Sequence, residues 1–434
     1  SILAIYPPIQ ILERKNYKLF STVLDMVSYS VKGGELVEAL KMRALPEGSN
    51  DYLALLEFLK LYRDAVQLVV NKLWSLNEIP SIKTLHKMFY SELKRYGFRA
   101  HHVKQVYTYA KTIVRASKRN GGKKPVLRRL TARVDRYDYR LDLENRTLIL
   151  RIHDGRVVIL KLLTSIERIE KFRGWSNYEI AIKVIENEVY VAVYFRRIVK
   201  SRKTKTITTI DVNFDNVTLA VFTSSGKLLK LKRYKTPLRK ILTHRIWIER
   251  IQKRYSKSWG FVKGVREVIE KHGDRMKSIA LDYAHKIGDR VAEIANEHNS
   301  TIVLENLNKL RDRANSNSLF NKKLSLWFYR KIQFTINYEA LERRLEVSYI
   351  NPMKTSSTCP RCESRLKDNG DRVLKCSKCD FTGDRDVVAC INLFYRYSRC
   401  GVPRVALNAP KGDANLRPMQ GKRDEAMKST YIRS

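Results

Sequence analysis

Two Cys-x-x-Cys pairs lie close together in the second half of this chain. Cys359 and Cys362 form the first pair, Cys376 and Cys379 form the second, and 13 residues separate the pairs. Thiolates at this spacing are typical of a tetrahedral zinc site, which fixes the shape of a short segment without a large core. Because four thiolates leave no open coordination position, the predicted Zn²⁺ is structural. The other two cysteines share no such spacing, which argues against a disulfide framework.

The net charge is the next constraint. The 434 residues include 85 Lys and Arg against 44 Asp and Glu, a formal charge of +41. Such a surface attracts polyanions, and phosphate contacts dominate nucleic-acid affinity. No apolar run approaches the roughly 20 residues of a membrane-spanning helix, and the first residues lack the features of a signal peptide. We expect a cytoplasmic, nucleoid-associated prokaryotic protein of two or three domains, with no membrane contact.

Residues 51–118 are predicted to be helical. Apolar side chains recur at steps of three and four along the first stretch, as on one face of an amphipathic helix. A break at Ile79-Pro80-Ser81 precedes a second helix over 85–96, and a third, strongly basic helix follows over 101–118. The third helix is predicted to end at Asn120-Gly121-Gly122-Lys123-Lys124-Pro125, a run of helix-stopping residues.

Residues 126–200 show strand-type patterns instead. Apolar runs on either side of Asp154-Gly155 predict one hairpin, and 178–185 with 189–195 predict a second. Antiparallel strands of this kind favour a small β-barrel. We expect strands near Ile2–Lys18 to complete the barrel, with the helices inserted between them.

The second half of the chain alternates strands and helices. Three strands near 207–232 precede two long basic helices, a further strand leads to Glu305, and a last helix begins near Asp386. The segment 306–321 is polar and has little apolar content. The tail from Gly401 combines Pro, Gly and charge without periodicity, and we expect it to be disordered.

Three acidic residues stand where they could converge on metal. Asp211 follows the β-type run 206–210, Glu305 follows a second apolar run, and Asp386 lies just after the cysteines. Taken singly, an acid at a strand end is more often a solvated loop residue or a helix cap. Their order along the strands and helices is that of a ribonuclease-H-like nuclease. Paired Mg²⁺ ions held by carboxylates are a usual way to cut a phosphodiester bond, because one ion activates water and the other stabilises the leaving oxygen.

These motifs together resemble the TnpB (OrfB) family of transposon-encoded RNA-guided nucleases, relatives of the single-effector CRISPR nucleases with one RuvC-type site. The resemblance spans about residues 50–397, and the C-terminal motifs in their order are its most specific part. The resembling segments are Ile210-Asp211-Val212-Asn213, Val303-Leu304-Glu305-Asn306-Leu307, Thr355-Ser356-Ser357-Thr358-Cys359-Pro360-x-Cys362, Cys376-x-x-Cys379, Asp384-Arg385-Asp386-x-x-Ala389-x-x-Asn392-Leu393 and Gly121-Gly122-Lys123-Lys124-Pro125.

The resemblance implies an α/β multidomain fold. It implies a RuvC (RNase H-like) nuclease domain with an inserted zinc ribbon, and an N-terminal β-barrel (wedge) domain with an inserted helical recognition domain. Asp211, Glu305 and Asp386 become the catalytic acids that hold two Mg²⁺ ions, and the four paired cysteines become the zinc ligands. The implied boundaries are 1–50 and 126–200 for the wedge, 51–125 for the helical domain, 201–355 and 383–400 for the nuclease, 356–382 for the zinc ribbon and 401–434 for the tail.

The sequence departs from the family pattern near the last acid. Val388 and Cys390 replace an Asn and an Ala of the family motif, and Asn213 stands where many members have Gly. We expect Cys390 to lie in the core, at an inward position of the last helix. Asp384 is an alternative third acid, and Asp386 is preferred because it aligns with the start of the motif's helix.

The resemblance also implies nucleic-acid partners. They are a guide RNA made from the transposon end and double-stranded target DNA beside a short adjacent motif. The basic segments 101–119 and 238–271 suit contact with a phosphate backbone, and His101 and His102 are expected to contact phosphate. For the aromatic residues in these segments, core packing is favoured over base stacking. These residues are Tyr107, Tyr109, Trp247, Tyr255 and Trp259.

Three other functions stay open at this point. A nuclease-inactive relative would act as an RNA-guided DNA-binding repressor, against which the three intact acids argue. A DNA-joining transposase uses the same fold and acid triad, so the fold alone does not exclude it. A non-enzymatic zinc-ribbon RNA-binding protein predicts that replacing Asp211 changes nothing.

Overall fold

The computed structural model describes residues 29–32, 34–119, 121–307 and 328–401. The chain divides into two compact units, Ser1–Ile198 (unit 1) and Val199–Ser434 (unit 2). None of the helices in the described ranges has the length and apolarity that crossing a membrane requires. The predicted strands near Ile2–Lys18, nearly all of the polar segment 306–321 and the tail beyond Gly401 lie outside the described residues.

Three long helices of unit 1 confirm the amphipathic patterns. They are α1 (Ser49–Trp74), α2 (Ile82–Lys94) and α3 (Ala100–Arg119). The apolar positions of α1 at steps of three and four are all buried, among them Leu55, Leu59 and Tyr62. Ser81 is the N-cap of α2. Its hydroxyl accepts a hydrogen bond from the Thr84 backbone N–H at 3.2 Å.

The remaining elements of unit 1 are eight strands and a short helix. They are β1 (Tyr29–Lys32), β2 (Glu35–Pro46), β3 (Thr131–Asp135), β4 (Tyr139–Asp142), β5 (Thr147–Arg151), β6 (Val157–Leu163), α4 (Ile166–Glu170), β7 (Ser176–Ile185) and β8 (Glu188–Ile198). The strands form one antiparallel sheet in the order β3-β7-β8-β2-β6-β5-β4, with β1 paired to β2. Both predicted hairpins are present, as β5–β6 and β7–β8. One face of the sheet packs on the helices in a single apolar core.

The described part of this sheet has two free edges. Strands β3 and β4 are the edges, and among the described residues no ladder joins them. Their connection is a short 3₁₀ helix, Arg136–Asp138, whose buried Asp138 pairs with Arg99 at 2.5 Å and lies 3.4 Å from His102 of α3. The strands near Ile2–Lys18 that were predicted to complete the barrel lie outside the described residues, so closure of the barrel stays a prediction.

Unit 2 contains a five-stranded mixed sheet between helices. Its elements are β9 (Thr206–Val212), β10 (Asn216–Thr223), β11 (Leu228–Lys235), α5 (Leu238–Tyr255), α6 (Lys263–Glu297), β12 (Ser300–Glu305), α7 (Tyr329–Glu342), β13 (Val347–Ile350), β14 (Leu366–Asp368), β15 (Val373–Cys376), β16 (Thr382–Asp384) and α8 (Arg385–Gly401). The strand order is β11-β10-β9-β12-β13, with β12 parallel to both β9 and β13. Helices α6 and α7 cover one face and α8 covers the other, so β9 is central and buried on both sides.

The cysteine segment forms its own small sheet. Strands β14, β15 and β16 pair antiparallel in that order. Helix α8 follows β16 directly, so the segment that carries the cysteines leads straight into the helix that carries Asp386.

Candidate functional site

The first two acids stand side by side at one edge of the sheet in unit 2. Asp211 lies near the end of β9, and Glu305 is the last residue of β12. In the parallel ladder between these strands Ile210 is the partner of Leu304, so the next residue on each strand is an acid. Parallel strands end at the same edge of a sheet, and the central position of β9 therefore places both carboxyl groups together.

The third acid comes from the first turn of α8. Asp386 is 1% exposed, and Asp211 is 6% exposed. Asp384 has a different task, because its Oδ1 accepts hydrogen bonds from the backbone N–H groups of Asp386 at 2.9 Å and Val387 at 3.3 Å. It thus caps the N-terminus of α8. Of the two acids in this motif, Asp386 is the one joined to Asp211 through a shared neighbour.

That neighbour is Asn213. Its Nδ2 donates to Asp211 Oδ2 at 2.6 Å and to Asp386 Oδ1 at 3.0 Å. One amide therefore bridges two of the three carboxyl groups across 173 residues of sequence. The position was noted in the sequence only because it departs from the family's Gly, and a glycine would have no side chain with which to form this bridge.

Two arginines pair with Asp386, and no sequence motif pointed to either of them. Arg372 Nη2 donates to both oxygens of Asp386, at 2.7 and 2.9 Å, while its Nη1 donates to Asp215 at 2.7 Å. Arg233 pairs with Asp384 at 2.5 Å and lies 3.3 Å from Asp386. Arg372 lies between the two cysteine pairs, so the segment that forms the small sheet places a guanidinium group beside Asp386. Hydrogen bonds between a guanidinium and a carboxylate are charge-assisted and therefore stronger than neutral ones.

Glu305 is held by the segment that precedes the cysteines. Thr355 Oγ1 donates to Glu305 Oε1 at 2.6 Å, and Gln333 Nε2 donates to the Glu305 backbone carbonyl at 2.7 Å. The carbonyls of Thr355 and Thr358 in turn accept from Asn392 Nδ2 of α8, at 2.6 and 2.8 Å. The helix that carries Asp386 and the residue that orients Glu305 are therefore fastened to each other.

Burial makes Asp211 and Glu305 costly to ionise. Burial raises the pKa of Asp211 well above its usual range, the charges of Glu305 and Asp386 raise it further, and the Asn213 hydrogen bond opposes the rise. Burial also raises the pKa of Glu305, against the Thr355 hydrogen bond. A bound cation would relieve both effects, and carboxylate oxygens are the ligands that Mg²⁺ prefers. The donor set therefore fits Mg²⁺.

The four paired cysteines form a second possible metal centre. The Sγ atoms of Cys359, Cys362, Cys376 and Cys379 all lie within 4.8 Å of one another, and in the described part of the chain no other His, Cys, Asp or Glu side chains form such a group of three or more. The three acids are thus more widely spaced than the cysteines. This compact cluster could hold a zinc ion and fits a zinc ribbon.

The two departures in the last motif are core residues. Val388 is fully buried and packs with the cysteine cluster and with Leu366 and Leu374. Cys390 is buried between α8 and the sheet, which confirms its expected place in the core. Neither side chain therefore takes a ligand position among the acids.

Comparison with known proteins agrees with this arrangement. The Cas12f1-like TNB domain family matches residues 329–393, a span that contains the four paired cysteines and Asp386. A Cas12f1 solved as a complex with single guide RNA and target DNA has a TM-score of 0.56 at 12% identity, and the alignment covers 83% of this chain and 99% of that one. The mini-RNA-guided endonuclease CRISPR-Cas_phi3 has a TM-score of 0.50 at 10% identity, with 91% and 97% covered. The fold is that of the Cas12 effector proteins, which contain a RuvC domain.

The chain belongs to the TnpB family, which is related to those effectors. The TnpB-like protein MJ0751 of Methanocaldococcus jannaschii is 32% identical over 251 residues, which cover 57% of this chain and 89% of that protein. The Cas12f1 endodeoxyribonuclease of Sulfoacidibacillus thermotolerans is 27% identical over 128 residues, or 29% of each chain. The resemblance stated from the sequence motifs is confirmed.

Proposed function

We propose that this protein is a transposon-associated, RNA-guided DNA endonuclease that cuts its target by hydrolysis with two Mg²⁺ ions. The observation that carries the proposal is the convergence of Asp211, Glu305 and Asp386 at one edge of a RuvC-type sheet. The family supports it, because related proteins are named as endodeoxyribonucleases and one was solved with guide RNA and target DNA. A charge of +41 suits both nucleic-acid partners.

In this proposal the three acids are the ligands of the catalytic ions. Bound Mg²⁺ would activate a water molecule and stabilise the leaving oxygen of the phosphodiester. Asn213 keeps Asp211 and Asp386 at a fixed spacing through its two hydrogen bonds. Arg372 balances the charge of Asp386, and its partly exposed guanidinium can pair with an oxygen of the DNA phosphate.

The four paired cysteines hold a structural Zn²⁺ in the same proposal. Their cluster shares a small core with Val388 of α8, and four thiolates would fill the coordination shell. The zinc site therefore positions α8 and Arg372 and takes no part in the reaction itself.

A second candidate is a nuclease-inactive RNA-guided repressor. The pairing of Arg372 with both oxygens of Asp386 favours it, because that carboxylate already has a cationic partner. The two candidates differ in what they predict after targeting, since the repressor would bind the matching DNA and leave it intact.

The first experiment uses the protein co-expressed with its native flanking DNA. The co-purified RNA is sequenced, and a plasmid library that matches its guide segment is offered with Mg²⁺. Asp211→Ala is the test variant and Asp384→Asn is the matched control, because Asp384 is the acid used as a helix cap. A discrete RNA, with cleavage lost in Asp211→Ala and kept in Asp384→Asn, supports the endonuclease. A bound RNA with tight targeting and no cleavage supports the repressor, and the absence of a discrete RNA refutes both.

A further inference from the structure

Unit 1 contains a basic pocket that is separate from the acids of unit 2. The pocket has a volume of about 330 Å³ and lies between α1, α3, β3, β7 and the segment that joins α3 to β3. We call it the arginine pocket, and its polar lining is Arg63, Tyr109, Arg128, Arg129, Thr131 and Arg133.

The joining segment is held in place by one glutamine of α1. Gln67 Nε2 donates to the Pro125 carbonyl at 3.2 Å, and Gln67 Oε1 accepts from the Leu127 backbone N–H at 2.7 Å. Three residues after Leu127, the Leu130 carbonyl accepts from the Val184 N–H at 3.2 Å. Arg128 and Arg129 therefore project from a backbone that is fixed on both sides.

Only part of the positive charge in the pocket is balanced. Arg63 pairs with Asp64 at 2.8 Å, and Arg133 pairs with Glu179 at 3.4 Å. Within the described ranges neither Arg128 nor Arg129 pairs with a carboxylate. The pocket is therefore lined by two arginines with a carboxylate partner and by two, Arg128 and Arg129, without one among the described residues.

A buried lysine next to the residues that line the pocket carries a third unmatched charge. Lys183 of β7 is 3% exposed, and among the described residues its Nζ has no hydrogen-bond partner. Its partner in the ladder is Thr131, and it shares a face of β7 with Ala181, both of which line the pocket. Burial lowers the pKa of Lys183 to about 8, and nearby Arg129 lowers it further. A buried ammonium group without a partner is costly, and an anion would satisfy it.

We propose that the arginine pocket binds a phosphate group of a nucleic-acid strand, with Lys183, Arg128 and Arg129 as its cationic ligands. Guanidinium forks match phosphate oxygens, and a lysine ammonium adds a compact point charge. The phosphate is either a phosphodiester within the strand or a monophosphate at its 5′ end. None of these residues belongs to the proposed nuclease site, and the inference rests on the proposed function only in taking a nucleic-acid strand as the source of the phosphate.

The first test uses the full chain, freed of nucleic acid, with inorganic phosphate as the probe. Thermal unfolding is measured in phosphate and in chloride of equal ionic strength. Lys183→Met removes the ammonium and keeps an apolar stem of similar length, and Lys161→Met on β6 is the control because Lys161 is an exposed strand lysine of the same unit. We expect phosphate to raise the Tm of the wild type and of Lys161→Met by about 2–4 °C, and to leave Lys183→Met almost unchanged. An equal shift in all three proteins, or none in the wild type, overturns the proposal.

A second test identifies the source of the phosphate. RNA and DNA oligonucleotides with a 5′-phosphate or a 5′-hydroxyl are titrated against the wild type and Lys183→Met. Wild-type binding that is about tenfold tighter to the 5′-phosphate, with this preference lost in the variant, indicates the strand end. Equal binding of both ends, weakened in the variant by a similar factor, indicates an internal phosphodiester. Identical affinities of wild type and variant for every strand contradict phosphate binding by the arginine pocket. This conclusion holds also if both proteins fold and cut DNA equally well.

Discussion

Replacing Lys183 with methionine should make unit 1 more stable, because it removes a buried ammonium group that has no hydrogen-bond partner among the described residues. The pKa of this lysine falls from 10.5 to about 8 in the fold. At about 1.4 kcal/mol per pKa unit, keeping it protonated costs the folded state about 3 kcal/mol near pH 7. Methionine has no charge to bury, so we expect its free energy of unfolding to be higher by about that amount.

The dependence on pH gives the prediction its sign. Below pH 8 the lysine is protonated in both the folded and the unfolded chain, and the full cost applies. As the pH rises from 8 to 10.5 the folded state loses its proton first, so the cost shrinks and then vanishes. The difference between wild type and variant should therefore fall to about 1.5 kcal/mol at pH 9.5.

The assay is a urea titration without phosphate, read by hydrogen exchange in peptides from β7 and β8, so that unit 1 is followed by itself. Lys161→Met is carried through as the control and should match the wild type within about 0.5 kcal/mol. A Lys183→Met variant that is less stable than the wild type, or whose advantage is the same at pH 7 and pH 9.5, would refute the reasoning. Either result would mean that the ammonium group already has a partner or reaches water.

Other predictions concern unit 2. Asp211→Asn should abolish cleavage and yet stabilise the metal-free protein, because burial raises the pKa of Asp211 and its ionised form therefore opposes folding near neutral pH; activity and urea unfolding in EDTA test both parts. Asp386→Asn should abolish cleavage, whereas Asp384→Asn should keep it with little loss of stability, because an asparagine oxygen can accept the same capping hydrogen bonds, and comparable cleavage losses in the two variants would contradict the assignment. Arg372→Met should bind Mg²⁺ more tightly at low ionic strength, because a cation no longer competes for Asp386, and titration calorimetry measures this. Cys376→Ser should reduce bound zinc to less than half of the wild-type content by elemental analysis and increase hydrogen exchange in α8, and unchanged exchange there would argue against a structural zinc.

The sequence predicted the elements whose patterns are local. The helices of unit 1 and the hairpins β5–β6 and β7–β8 followed from spacing alone, since a period of 3.6 or 2 decides which side chains are buried. The cysteine cluster followed for a similar reason, because two close pairs leave few ways to arrange four thiolates. The assignment of Asp211, Glu305 and Asp386 as ligands stays a prediction, although the fold brings the three together.

What the sequence did not predict depends on contacts between distant segments. Arg372 is one of 85 basic residues, and only the placement of the small sheet shows that its guanidinium meets Asp386. His102, expected to contact phosphate, is instead buried 3.4 Å from Asp138. The same buried Asp138 ties the β3–β4 connection to α3. Neither feature has a signature within a short window of sequence.

The order of the elements along the chain also determines which site can form first during synthesis. Unit 1 ends at Ile198, whereas the acid cluster needs Asp386, about 190 residues later. Domains generally fold from the N-terminal end as they emerge, at about 5–20 residues per second, so roughly 10–40 s separate the two events. During that interval the growing chain would already have the complete arginine pocket but not the acid cluster. If both proposals hold, the protein could bind a nucleic-acid phosphate before it is able to cut DNA.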